Sequence, residues 1–186
     1  MKKKKYQPGL LWITGLSGSG KTTISKIIYN KLKKKYSNII LLDGDILRNK
    51  LNIKKSDHFL SNSRTKVGLM YVNLCKKYID DKKKFVIIAT MSLKSKVHNE
   101  YKKIKNNHDI FLDVPMKELK KRDPKGLYKK FKNKEISNMV GLDIQFDKPN
   151  NPSLYLKWKK NLSAFKISKK IIKLIRHENT KSKNFS

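Results

Sequence analysis

Acidic residues are scarce in this sequence, and their scarcity sets its net charge. The 186 residues include 14 Asp and Glu against 46 Lys and Arg, only four of which are Arg, so the formal net charge is +32. Charge of this size attracts polyanions. The lysine runs, however, lie on predicted helix faces and turns without an aromatic-interleaved recognition motif. We interpret the charge as lysine-rich composition spread over solvated faces, and predict salt-dependent attraction of anionic nucleotides but no specific nucleic-acid partner.

Cysteine and long apolar runs are also scarce. The single cysteine, Cys75, excludes an internal disulfide and agrees with a reducing compartment. No run approaches the roughly 18 apolar residues of a membrane helix, and residues 10–14, behind the basic N-terminus, are too short for the apolar part of a signal peptide. We therefore predict an unsecreted, cytoplasmic protein with no membrane partner. The length suits one domain over residues 1–186.

Short apolar runs alternate with stretches of helical periodicity. The runs predict five strands, at residues 10–14, 39–42, 85–89, 110–114 and 154–156. Helices are predicted from the end of the first loop to about residue 35 and over residues 64–79, 93–106, 116–123 and 165–176, with a short helix and loop within 46–63. The alternation predicts a three-layer, doubly wound α/β fold with a mostly parallel sheet and ligands at the carboxyl ends of its strands.

Residues 124–152 interrupt this alternation. They contain three of the five prolines, two glycines and many lysines. A long, weakly periodic stretch inside a compact domain is typical of a functional lid. We therefore predict a lid at about residues 124–152, and a frayed tail at about residues 177–186.

The first predicted strand leads into a glycine-rich loop. The loop reads Gly15-Leu16-Ser17-Gly18-Ser19-Gly20-Lys21-Thr22, which fits G-x-x-x-x-G-K-[ST] between a strand and an amphipathic helix. Glycines let backbone N–H groups turn towards phosphate oxygens, and the helix N-terminus adds partial positive charge. We expect Lys21 to act at the β- and γ-phosphates and the Thr22 hydroxyl to bind Mg²⁺. The predicted Mg-ATP site is of the P-loop nucleoside-kinase type and comprises Gly15, Ser17, Gly18, Ser19, Gly20, Lys21, Thr22 and Thr23.

Two carboxylates follow the second predicted strand. Asp43 and Asp45 are expected on the rim beside the phosphate loop, where carboxylates hold the water shell of a metal and take a proton from an attacking hydroxyl. We assign Asp45 as the catalytic, metal-associated residue, and Asp43 as a supporting residue of the acceptor site or a helix cap. Arg48, one turn further on, is placed to clamp an anionic acceptor. These features predict a kinase that passes the γ-phosphate of ATP to a hydroxyl group of a small molecule.

The same segments resemble a known family. Leu42-Asp43-Gly44-Asp45 followed by Arg48 resembles the L-D-G-D-x-x-R segment of adenylylsulfate kinases, and the phosphate loop is similar to theirs. The resemblance covers about residues 8–176, and its longest part follows that family's order and spacing through Phe111-Leu112-Asp113-Val114-Pro115, Arg122-Asp123-Pro124-Lys125-Gly126-Leu127-Tyr128, Gly141-Leu142-Asp143, Pro149 and Asn151-Pro152. It implies phosphorylation of the ribose 3′-hydroxyl of adenylylsulfate, as in sulfate assimilation, with ATP and Mg²⁺. It also implies a homodimer.

Roles for individual residues follow from this resemblance. Asp45 would orient or deprotonate the 3′-hydroxyl, and Arg48 would face the anionic group of the acceptor. Arg122 would lie near ATP. The resemblance further implies that Lys125, Gly126 and Leu127 close over the acceptor and exclude water. The other acceptor residues that it implies are Asn62, Arg64, Ser92 and Met139.

Two family segments differ in this chain. The family's F-S-x-x-D-R-x-x-N-I-R-R segment has lost its Asp-Arg pair, which leaves Asn62, Arg64 and Lys66 for similar work. Residues 89–94 replace the family's I-S-P-Y-R segment, and of that segment they retain only a hydroxyl residue. The lid phenylalanine that stacks on the acceptor's adenine is replaced by Met139. Because aromatic stacking on a base is worth about 1–3 kcal/mol, we predict weakened adenine selectivity.

The altered segment at residues 89–94 resembles a branch of the family found with capsule genes. Some members of that branch act on cytidine diphosphoramidate. The sequence therefore predicts a nucleotide 3′-hydroxyl kinase, with adenylylsulfate as the main acceptor and cytidine diphosphoramidate as the alternative. A non-catalytic nucleic-acid binder that uses the positive charge is a distant third hypothesis.

Overall fold

Strands and helices alternate along the part of the chain that the computed structural model describes, which is residues 2–44, 47 and 61–181, without the side chains of 61, 62 and 177–181. The strands are β1 (Gly9–Gly15), β2 (Ile39–Asp43), β3 (Phe85–Thr90), β4 (Asn107–Asp113) and β5 (Leu154–Lys157). The helices in this part are α1 (Lys21–Lys33), α2 (Ser61–Asp80), α3 (Ser95–Lys102), α4 (Met116–Arg122), α5 (Leu127–Lys132) and α6 (Ala164–Lys181). None of these helices is long and apolar enough to cross a bilayer.

The five strands form one sheet in the order β2-β3-β1-β4-β5, and every pair of neighbours is parallel. The doubly wound α/β prediction is confirmed. The chain moves to one side of β1 for β2 and β3 and to the other side for β4 and β5, so the topological switch point lies at the carboxyl end of β1. The glycine-rich loop begins there, at Gly15.

Strand β1 is buried on both faces, which explains its continuous apolar run. Leu11 and Ile13 belong to the core cluster that includes α1 and α6. Leu10 and Trp12 belong to the cluster on the other face, with α2 and α3. Cys75 packs in that second cluster, and burial raises the pKa of its thiol.

Several predicted element boundaries are wrong. Helix α3 is shorter than predicted: it begins at Ser95, and its chain turns through the left-handed Asn106 (φ 55°) into β4. Strand β4 starts three residues earlier than predicted because His108 and Asp109 are buried within it despite their polarity. Helix α6 continues to Lys181, past the predicted end at residue 176, since residues 177–181 contain no glycine or proline that would stop it. The short helix and loop predicted within residues 46–63 lie mostly outside the described residues.

Candidate active site

The phosphate loop connects β1 to α1 through backbone conformations that favour glycine. Gly18 has φ 76° and Gly20, the residue before the helix, has φ 95°, both in the left-handed region. The amide of Ser19 donates to the carbonyl of Leu16 at 3.2 Å, and the amide of Ile24 donates to the carbonyl of Gly20 at 3.0 Å. The loop therefore closes tightly and ends at the N-terminus of a 13-residue helix, which favours negative charge.

Three side chains at this loop have the chemistry of a nucleotide-phosphate site. The Lys21 ammonium donates to the Leu16 carbonyl at 2.8 Å, so it lies back along the loop. The Thr22 hydroxyl donates to Oδ2 of Asp43 at 2.9 Å, which joins the start of α1 to the end of β2. Asp43 is 7% exposed. A hydroxyl backed by a buried carboxylate beside a phosphate loop suits a hard divalent cation such as Mg²⁺.

A cavity of about 320 Å³ opens beside the phosphate loop. It lies between the loop, α2, the segment after β3 and the residues after α5. Its lining includes two cations, Arg64 and Lys94, and no acidic residue from the described part of the chain. The Thr90 and Ser92 hydroxyls, 3.0 Å apart, line it as well. The cavity is thus suited to a small anionic molecule held next to the phosphate loop.

The predicted lid, residues 124–152, packs on the phosphate loop. The Tyr128 hydroxyl donates to the backbone carbonyl of Ser17 at 3.0 Å. Burial and the Asp123 carboxylate raise the pKa of Tyr128 to about 12, so this hydroxyl keeps its proton at physiological pH. Gly141 has φ 89°, and a Cβ there would lie 2.9 Å from a Leu16 methyl group, so glycine permits this close approach.

A carboxylate caps a helix at each end of the predicted lid. Asp123 accepts hydrogen bonds from the amides of Tyr128 (3.1 Å) and Lys129 (2.9 Å) at the start of α5. Asp147 accepts hydrogen bonds from the Ser95 amide (2.7 Å) and hydroxyl (2.8 Å) at the start of α3. The Ser95 amide, followed by the Ser95 hydroxyl, holds the pKa of Asp147 below its usual range. The middle of the lid meets α2, where Arg64 Nη2 donates to the Asn138 carbonyl at 2.6 Å.

Several of the predicted acceptor residues come together at the cavity. The lining contains Arg64, Ser92, Leu127 and Met139, together with Ser17 of the loop. Lys125 is exposed, and Gly126 (φ 65°) precedes α5. The guanidinium of Arg122 pairs with Glu118 at 2.9 Å on α4. Asp45, Arg48 and the side chain of Asn62 lie outside the described residues.

Sequence reasoning missed other residues of the site. Tyr71, Lys94 and Asn138 line the cavity, but in the sequence Tyr71 is one residue within a predicted helix and the other two are ordinary polar residues. Tyr128 stands in the lid string that carries the family resemblance, yet nothing local indicates its bond to Ser17. A contact between residues 111 positions apart leaves no periodic signal.

A phosphate loop at the switch point of a parallel sheet, with a cation-lined cavity beside it, is the arrangement of a P-loop kinase. The family model described as Adenylylsulphate kinase matches residues 7–157. The chain belongs to this family, as the resemblance predicted, and it is therefore a phosphotransferase that uses ATP.

Individual relatives differ in their acceptors. The chain is 44% identical to a cytidine diphosphoramidate kinase of Campylobacter jejuni over 146 residues, 78% of this chain and 84% of that protein. It is 36% identical to an adenylyl-sulfate kinase of Clostridium acetobutylicum over 152 residues, 81% of this chain and 74% of that protein. The Mycobacterium tuberculosis APS kinase CysC in complex with AMPPNP and APS superposes with a TM-score of 0.72 at 27% identity, covering 94% of this chain and 99% of that one.

Replacing Tyr128 by phenylalanine should loosen the lid without removing its packing. Tyr128→Phe deletes the hydrogen bond to Ser17 but keeps a ring that is 5% exposed. We expect the free energy of unfolding to fall by about 1 kcal/mol, and kcat to fall about fivefold because a lid that closes poorly admits water. ADP release measured with and without acceptor should show a larger share of plain ATP hydrolysis.

The control for this change is Tyr78→Phe, on α2 but outside the cavity lining. It should leave the share of hydrolysis unchanged. An equal share of hydrolysis in Tyr128→Phe and wild type would contradict a role of Tyr128 in closing the lid.

Proposed function

We propose that this chain transfers the γ-phosphate of ATP to the ribose 3′-hydroxyl of cytidine diphosphoramidate. The observation that supports this choice of acceptor is the cavity beside Ser17, which combines cations with an aliphatic wall. Met139 stands where the family resemblance implies a stacking phenylalanine, and Tyr71 is the single aromatic residue among the described residues of the lining. A site with weak stacking suits a smaller base than adenine, and the 44% identity to a cytidine diphosphoramidate kinase supports this acceptor.

The residues divide between donor and acceptor. Lys21 and the backbone of residues 15–20 would hold the phosphates of ATP, and Arg122 would lie near the nucleotide. Asp45 would orient the acceptor hydroxyl and take its proton, and Arg48 would face the acceptor's anionic group. Leu127, with Lys125 and Gly126, would cover the acceptor and keep water from the γ-phosphate.

Magnesium is part of this proposal. The Thr22 hydroxyl would bind the ion, with Asp43 orienting that hydroxyl through the 2.9 Å hydrogen bond and Asp45 nearby in sequence. The ion would neutralise charge on the transferred phosphoryl group. The residues present fit it because the donors are oxygen atoms, which Mg²⁺ prefers.

An acceptor screen tests the proposal. Purified protein is incubated with ATP and Mg²⁺ and with cytidine diphosphoramidate, adenylylsulfate, CMP or AMP, and ADP release and the phosphorylated product are measured. We expect cytidine diphosphoramidate to give the highest kcat/KM, with the new phosphate on the 3′-oxygen by NMR. Failure to phosphorylate cytidine diphosphoramidate would overturn the proposed acceptor.

Adenylylsulfate is the second candidate. The 36% identity to an adenylyl-sulfate kinase and the fold shared with the APS complex favour it. A preference for adenylylsulfate over both AMP and the cytidine compound in the same screen would establish this candidate instead.

We also propose a cytoplasmic homodimer. Consumption of ATP and the unpaired thiol Cys75 support the compartment. The dimer rests on the family resemblance, and light scattering of the purified protein measures it directly.

A further inference from the structure

The acceptor cavity contains a guanidinium whose position bears on the choice of base. Arg64 lies in the first turn of α2, is half-buried, and lines the cavity. Its Nη2 donates to the Asn138 carbonyl at 2.6 Å, so the group joins α2 to the lid. Because a guanidinium is planar, this bond restricts the orientation of the remaining N–H groups relative to the cavity.

The chemistry of a guanidinium distinguishes cytosine from adenine. It carries five N–H donors and no acceptor. Cytosine has two adjacent acceptors, O2 and N3, which match a pair of parallel donors. Adenine places its amino donor beside both N1 and N7, so a second donor of the guanidinium would meet another donor. A group made only of donors therefore favours cytosine.

The other walls of the cavity leave the base edge as the main source of selectivity. Met139 is 8% exposed and lines the cavity with Val67 and Ile136, which gives the base aliphatic surface. Tyr71 is held as part of the wall, since its hydroxyl donates to the Gly44 carbonyl at 3.2 Å. Tyr71 is the single aromatic residue in the described part of the lining, where a pair of rings on both faces of a base would provide stacking of about 1–3 kcal/mol per base, so hydrogen bonds to the base edge carry more of the discrimination.

We propose that Arg64 determines base specificity by donating two hydrogen bonds to O2 and N3 of a cytosine. This inference rests on the proposed function, because it takes the cavity as the acceptor site. The bond to Asn138 also couples the orientation of the guanidinium to the position of the lid. When the guanidinium is oriented for the base, the lid lies over the cavity. Arg64 is a specificity-determining residue here, and Asp45 remains the residue that acts on the hydroxyl.

The experiment uses two acceptors that differ only in the base, cytidine 5′-diphosphoramidate and adenosine 5′-diphosphoramidate. The ratio of their kcat/KM values is measured for wild type and for Arg64→Lys, which keeps the charge but loses the planar pair of donors. We expect wild type to prefer the cytidine compound about 100-fold, as one bidentate pair discriminates between bases by about 1–3 kcal/mol. In Arg64→Lys that ratio should fall about tenfold because the KM for the cytidine compound rises, and the KM for ATP should stay unchanged.

Two further variants sharpen the test. Arg64→Gln presents a donor beside an acceptor, a pattern that matches adenine at N6 with N1 or N7 and cytosine at N4 with N3, so its ratio should fall to near one, below that of Arg64→Lys. Lys77→Gln removes an exposed cation from the same helix and should keep the wild-type ratio. A purely structural Arg64, which only secured the lid, would slow both acceptors equally, and an unchanged ratio in Arg64→Lys and Arg64→Gln would overturn the inference.

A failure of the proposed function is distinguishable from a failure of this inference. If neither diphosphoramidate is phosphorylated, the proposed function falls, and base preference is then measured by calorimetry with CMP and AMP in the presence of AMPPNP. Tighter binding of CMP that is lost in Arg64→Lys supports Arg64 as the base reader. Equal affinities for CMP and AMP overturn it.

Discussion

Lys21→Ala is expected to lower kcat about 1,000-fold, the largest effect of any single change proposed here. The ammonium lies 2.8 Å from the Leu16 carbonyl, within the loop that would surround the phosphates of ATP. Its loss removes a preorganised positive charge next to the transferred phosphoryl group, which gains negative charge during transfer. Removing one such donor typically lowers kcat by about 10²–10³-fold, or about 3–4 kcal/mol. The measurement is single-turnover transfer of the γ-phosphate at saturating ATP.

The matched control is Lys26→Ala, an exposed lysine on the same helix. It should keep kcat within about twofold, since an isolated surface charge contributes little. Both variants should retain the wild-type melting temperature within a few degrees. Near-normal turnover of Lys21→Ala would refute the assignment of Lys21 to the transferred phosphoryl group.

Asp43→Asn should produce the second-largest effect, a fall in kcat of about 100-fold together with a requirement for more Mg²⁺. The carboxylate accepts the Thr22 hydroxyl hydrogen and so leaves the oxygen lone pairs of Thr22 directed away from Asp43. An amide keeps the shape of the side chain but loses the negative charge that would favour a cation at this position. Initial rates measured across a magnesium titration separate the two effects.

Variants of Thr22 give this prediction its controls. Thr22→Ser keeps the hydroxyl and should remain close to wild type, whereas Thr22→Val should resemble Asp43→Asn. Asp81→Asn, an exposed acid beyond α2, should leave the magnesium requirement unchanged. A normal magnesium titration in both Asp43→Asn and Thr22→Val would place the ion elsewhere.

The sequence predicted the parallel sheet and the phosphate loop because both are local patterns. Residues 10–13 are apolar without interruption because both faces of β1 are covered, and the loop spacing follows from the geometry of phosphate binding. The start of β4 was missed because burial of His108 and Asp109 depends on distant partners: the Asp109 carboxylate accepts hydrogen bonds from the Ser153 amide and hydroxyl, 44 positions away. Local polarity predicted exposure where tertiary contacts provide burial.

The candidate site divides in the same way. The phosphate-site roles predicted for Lys21 and Thr22 follow from their spacing in the glycine-rich loop alone, so the sequence identifies these two residues. The bond between Arg64 and the Asn138 carbonyl joins residues 74 positions apart through a backbone atom, and neither residue signals it. Family resemblance pointed to Arg64 as an acceptor residue, while its alignment against the lid came from the fold.

The attachment of the lid through Asp147 has a consequence for the catalytic cycle. Asp123 caps α5 within the lid, whereas Asp147 joins the far end of the lid to Ser95 of α3, so we expect the stretch between α5 and Asp147 to move most. Movement there would break the Arg64–Asn138 bond and uncover Met139 and Val140, which pack with Leu16 and Leu119 in a buried apolar cluster. We therefore expect departure of the phosphorylated nucleotide to expose apolar surface, a cost that salt screens little, and any ionic-strength dependence of turnover to report on the attraction between the anionic ligands and the basic protein.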